Sequence, residues 1–119
     1  MKNKLKSNTL NLEFINGLEK ENTMYYILGI VVRWDLKKGD GNSKKHGVTF
    51  EEAASLFYAD ITLELEDHRH SEQRFIIIGF SLHTRLLTVV YAYRLENEIR
   101  IISARKATKN EAKKYEERI

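Results

Sequence analysis

The sequence contains no cysteine and no proline. The first absence excludes disulfide bonds and any thiolate nucleophile or metal ligand, and it fits a reducing compartment. The second removes a common marker of turns and helix ends. Long apolar runs are missing as well. The longest, residues 24–32 and 75–80, are strand-sized, well short of the roughly 18 residues that a membrane span needs. Lys2, Lys4 and Lys6 are followed by no apolar stretch of signal-peptide type. The expectation is therefore a cytoplasmic protein without a membrane association.

What is present fits one domain: 119 residues, 42% of them apolar. The net charge of +3 is modest, but its distribution is uneven. Residues 1–49 hold 9 basic and 5 acidic side chains, residues 50–73 hold 1 and 7, and residues 74–119 hold 10 and 5. A basic C-terminal part can present a cationic face to a phosphate backbone, although solvated surface explains the same numbers.

Residues 1–23 show no clear hydrophobic period and read as an N-terminal extension, with or without a short helix. The compact domain is expected over residues 24–119. Residues 24–34 are β-branched and aromatic, a strand signal interrupted at Gly29. Residues 37–46 are polar, and Gly39 and Gly41 weaken any helix there. Thr49 followed by Glu52 is a capping-box pattern, starting a helix that ends near Tyr58. Residues 61–66 alternate as a half-buried strand. Residues 74–80, 85–94 and 98–105 continue as strands, with Gly79 marking an end or a bulge. Short turns between them predict an antiparallel meander. Thr108 with Glu111 is a second capping box, opening a helix whose Ala112 and Tyr115 can pack on the sheet.

Four collinear patterns in this order resemble the BrnT toxin family. They begin with Trp34-Asp35, then Lys37 or Lys38, Asn42, and Lys45-His46-Gly47-Val48 leading into Thr49-Phe50-Glu51-Glu52-Ala53. His70-Ser71-Glu72 with Arg74 and Ile78-Gly79 follows. Arg85-Leu86-Leu87 precedes Val89-Val90-Tyr91. The last is residues 99–105 with Ala107-Thr108 and Tyr115-Glu116. Four features depart from the family: residues 1–30 look longer than its usual start, Gly39 and Gly41 stand in place of helix formers, Tyr93 sits where a polar or acidic residue is common, and His83-Thr84 sits where the family usually turns with Gly. The resemblance implies an α+β fold with a RelE-like antiparallel sheet flanked by helices. It also implies metal-independent endoribonuclease activity that inhibits translation, no cofactor, and neutralisation by a BrnA-like ribbon-helix-helix antitoxin in a heterotetramer.

Metal-free RNA cleavage must deprotonate a 2′-OH, stabilise the phosphorane charge and protonate the leaving 5′-oxygen. Arginine suits the second task through its planar, always charged fork. Arg85, Arg94 and Arg100 are the expected phosphate holders. Glu98 shares a strand face with Arg100, because Ile99 and Ile101 point the other way. Glu98 or His46 would move protons; an ordinary ion pair and a structural histidine are the competing readings. Arg105, Lys106, Lys45 and Trp34 complete the expected RNA-binding set. His68 and His70 lack a third ligand at metal spacing, so no metal site is expected. The alternative function is a catalytically inert module that binds only a partner or nucleic acid.

Overall fold

The structure is a computed structural model that describes residues 21–27 and 30–119. It opens with β1 (Glu21–Ile27) and β2 (Ile30–Asp35), followed by α1 (Leu36–His46) and α2 (Phe50–Ala54), which runs on as a 3₁₀ turn (Ser55–Tyr58). Then come β3 (Thr62–Asp67), β4 (Arg74–Phe80), β5 (Leu86–Leu95), β6 (Glu98–Lys106) and α3 (Lys109–Arg118). The strands form one sheet in the order β1-β2-β6-β5-β4-β3.

The α+β class and the antiparallel meander β3 to β6 are as the sequence predicts. Three details differ. Residues 24–34 are not one strand: β1 and β2 form an antiparallel hairpin. β2 then joins β6 in parallel, through Val31↔Glu98, Val32↔Ile99 and Arg33↔Arg100, so the sheet is mixed. Gly79 neither ends β4 nor makes a bulge, since β4 runs to Phe80 in unbroken register with both neighbours. Of the expected extension, residues 1–20 lie outside the described residues, and residues 21–23 already belong to β1.

Strand alternation sorts the side chains onto two faces. One face carries Val32, Trp34, Ile77, Leu87, Val89, Tyr91, Ile99 and Ile101, buried under Val48, Phe50, Ala53, Ala54 and Leu56. The other carries Leu63 and Ile78, with Leu65, Ile76 and Leu86, under Tyr115 of α3. α3 therefore covers only part of its face.

Residues 36–46 form a full helix despite the weakening expected from Gly39 and Gly41. Specific contacts outweigh propensity here. Asp35 caps the N-terminus by accepting from the Lys37 and Lys38 amides, at 2.8 and 3.1 Å. Gly47, at φ 71°, supplies the left-handed C-cap and donates to the Ser43 carbonyl. The main anchor is Asn42. β2 leaves β6 after Arg100, so the backbone of β6 beyond that point lacks a strand neighbour on this side. The Asn42 side chain takes the place of one. Its Nδ2 donates to the Ala104 carbonyl at 2.8 Å and the Val48 carbonyl at 2.9 Å, and its Oδ1 accepts from the Ala104 amide at 3.1 Å.

At Thr49 the capping box is only half made. Thr49 Oγ1 accepts from the Glu52 amide at 3.0 Å, but the Glu52 carboxylate turns away to Arg85. The turn between β4 and β5 is closed by Ser81 N–H to the Arg85 carbonyl and Thr84 N–H to the Ser81 carbonyl. Thr84 adopts φ 58° there. A β-branched residue is disfavoured in this left-handed region, and glycine is not.

Two stability effects follow. Asn42→Ala removes three buried hydrogen bonds and strands their backbone partners, so urea unfolding should show a loss of about 2–4 kcal/mol. Thr84→Gly relieves the turn and should raise stability by about 1 kcal/mol in the same assay. An unchanged midpoint for either variant contradicts the assignment.

Candidate active site

The alternation that buries Val32 with Trp34, and Ile99 with Ile101, sends Arg33 and Arg100 to the opposite face. Arg33 is the register partner of Arg100, and Arg100 of Ala92. Arg74 stands one position beyond the Phe75↔Tyr91 pair, beside Ala92, and Asp67 is opposite Arg74. Directly opposed residues share a face. One row thus crosses five strands, reading Asp67, Arg74, Ala92, Arg100, Arg33. Its only small apolar member is Ala92.

This row lies on the part of the face that α3 leaves open. Lys38, Glu72, Arg74, Ala92, Tyr93, Arg94, Arg100 and Ile102 line a cleft of about 330 Å³ there. Four cations and one carboxylate share this lining with Ala92, Tyr93 and Ile102. Glu72 Oε2 accepts from Arg74 Nε at 2.8 Å. Glu98 is buried beside the cleft, and its Oε2 pairs with Arg33 Nε at 3.0 Å and Arg94 Nε at 3.4 Å. A single carboxylate oxygen thereby fixes two guanidinium groups. At the row's outer end Asp67, buried, holds Arg69 through Oδ1 to Nε at 2.7 Å and Oδ2 to Nη2 at 2.8 Å. Those bonds, stronger than the opposing effect of burial, keep its carboxyl well below the usual range. Tyr93 is 49% exposed, and its ring meets Phe75 and Tyr91 edge-on at 5.6 and 6.0 Å.

The structure therefore brings Arg94, Glu98 and Arg100 together. Arg85 is not with them. It precedes β5, whose far end carries Arg94, a separation of roughly 30 Å at about 3.3 Å per residue. There it is a latch: Nε and Nη2 bind the buried Glu52, and Nη2 also donates to the Gly47 carbonyl at 3.0 Å. The Arg85 bonds hold the Glu52 carboxyl below its ordinary value, against the effect of burial and with help from Ser81. Lys45 and His46 end α1 at this same latch, next to Gly47. Arg105 grips Glu111 of α3 with both Nη atoms, at 2.7 and 2.8 Å, tying β6 to that helix, and Lys106 closes β6. Trp34 is 2% exposed and packs edge-on against Phe50 at 6.3 Å. The expectation that it contacts RNA is corrected: it is a core residue. His68 and His70 sit beside Glu66 and Asp67 at 3.9 and 3.7 Å, and among the described residues no three His, Asp or Glu groups cluster as a metal site.

Arg33, Lys38, Glu72 and Arg74 were not singled out from the sequence as site residues. For Arg33 the signal exists: an arginine between two core residues of a strand, the same logic that places Arg100.

Burial alone would raise the Glu111 carboxyl, but hydrogen bonds from Arg105, the Thr108 amide and Thr88 hold it at about 2, against an ordinary 4.5. A folded-state value below the unfolded one stabilises the protein fully above about pH 4.5, and that contribution is lost as pH falls toward 2. Glu52 acts in the same direction. Urea midpoints should therefore drop as pH is lowered through this window, and Glu111→Gln should flatten part of the drop. A wild-type midpoint independent of pH from 5 to 2.5 would refute both latches.

Residues 34–111 match a family model described as the ribonuclease toxin BrnT of type II toxin–antitoxin systems. Among solved structures, the chain is similar to the 1.1 Å crystal structure of the Brucella abortus ribonuclease toxin BrnT. Identity is 20% and the TM-score 0.49, covering 64% of this chain and 94% of that one. No curated protein matches the chain.

Proposed function

We propose a function from one premise: the chain belongs to the BrnT family of ribonuclease toxins of type II toxin–antitoxin systems. That family implies an RNA target and an antitoxin partner. The reading for this chain is an endoribonuclease that works in the cytoplasm without a metal ion and inhibits translation. A ribbon-helix-helix antitoxin neutralises it in a heterotetramer.

The observation that carries this reading is the cleft with Lys38, Arg74, Arg94 and Arg100 in its lining and Glu98 beside it. Arg94 and Arg100 hold the scissile phosphate and stabilise the charge that grows on its oxygens. Such fixed guanidinium groups supply the positive charge that a divalent ion supplies elsewhere. Glu98 accepts the proton of the 2′-OH. The freed 2′-oxygen attacks phosphorus, the bond to the 5′-oxygen breaks, and that oxygen takes a proton from solvent. The products are a 2′,3′-cyclic phosphate and a 5′-OH. His46 is left out of this scheme because it ends α1 at the Arg85 latch, away from the cleft.

Purified protein should cleave single-stranded RNA in EDTA. Arg100→Ala should lower the rate by about 10²–10³-fold, the usual loss of one transition-state charge contact. Glu98→Gln should lower the rate comparably while RNA affinity changes little. RNA left intact by the wild type would overturn the ribonuclease reading in favour of an inert binding module. Full activity in Glu98→Gln would limit Glu98 to positioning Arg33 and Arg94.

A further inference from the structure

The cleft has a feature that phosphate binding does not require. Two of its lining residues, Ala92 and Ile102, are apolar, and Ala92 lies between two arginines in the sheet register. Arg74 and Arg100 stand on β4 and β6, one strand to either side of Ala92 on β5. Two steps of about 4.8 Å separate their backbones by roughly 10 Å. Glu72 holds Arg74 by its Nε at 2.8 Å. A pure phosphate site is served by a shallow cationic surface. A gap between two arginine side chains on either side of an alanine suits a flat, partly apolar group instead.

We infer that this gap is a subsite for one unpaired RNA base, inserted between Arg74 and Arg100 with Ala92 beneath it. The inference rests on the reading of the cleft as the RNA site and adds a substrate class to it. Guanidinium planes stack on nucleobases, and a base can reach such a gap only when it is free of its own helix. The cleft volume of about 330 Å³ is at the low end of small-ligand sites, on the order of one nucleotide and too small for paired strands. The short side chain of Ala92 leaves the gap open, and a much larger residue there fills the space the base needs. The substrate is therefore single-stranded RNA, gripped by a base next to the phosphate that is cut.

The test uses the full-length protein and a ten-nucleotide single-stranded RNA, blocked against cleavage by a single 2′-deoxy substitution. An abasic nucleotide is walked along it, and affinity is read by fluorescence anisotropy. One position should lose about tenfold or more, the size of one base-stacking contact. In Ala92→Leu that position should lose its effect, and intact RNA should bind as weakly as the abasic form. The wild-type scan needs no variant to fold, so it tests the subsite whether or not Ala92→Leu folds. A wild type that binds and cleaves RNA with no position-dependent loss overturns the base subsite alone. So does a cleavable RNA duplex cut as fast as the single strand. A wild type that neither binds nor cleaves RNA overturns the function and the subsite together.

Discussion

The architecture depends on one side-chain amide. Among the described residues, β6 is the strand that joins the hairpin β1–β2 to the meander, and its register with β2 runs through Glu98, Ile99 and Arg100. Past Arg100, its edge would present bare backbone groups in the interior, where each unmet hydrogen bond is costly. Asn42 meets the Ala104 amide and carbonyl together, and fixes the Val48 carbonyl with its remaining proton. A helix is thus attached to a sheet as if it were a strand. Everything that α1 carries is placed by that bond: Lys38 at the cleft, and Gly47 where its carbonyl meets Arg85.

Around this frame the charges divide into two uses. Glu52 and Glu111 are carboxylates largely withdrawn from water, each closed by a two-pronged arginine that joins separate elements. Glu52 with Arg85 ties α2 to the turn before β5, and Glu111 with Arg105 ties α3 to β6. These pairs are balanced, one charge against one. In the cleft Lys38, Arg74, Arg94 and Arg100 stand around Glu72, with Glu98 behind. The same residue type serves both, so arginine content does not separate scaffold from site.

That distinction explains what could be read from the sequence. Strands β3 to β6, the helix after Thr108 and the outward turn of Arg100 all follow from short-range alternation and caps, and the sequence shows them. The parallel β2–β6 joint, the helix over residues 36–46 and the pairing of Arg85 with Glu52 depend on residues tens of positions apart. Gly39 and Gly41 argue locally against a helix that Asn42 secures from outside. Arg85 looks as eligible as Arg100 until its partner, 33 residues earlier, is known. Trp34 reads as a stacking platform or a core residue until Phe50 is seen against it. His83-Thr84 was legible in a different way. Its departure from glycine marked a turn whose backbone demands the conformation glycine takes most easily, and Thr84 adopts it regardless.

The parallel joint has a consequence for how the protein comes into being. Arg33 and Lys38 leave the ribosome first, then Arg74, and Arg94 and Arg100 after it. β2 has no partner in the meander until β6 exists, and Asn42 has no strand to cap before Ala104 is made. Contacts of such long sequence separation form late, after the loop between them has been closed. A nascent chain that stops short of β6 therefore has the Arg74 and Arg94 side of the cleft but neither Arg100 nor the parallel joint that sets Arg33 beside it.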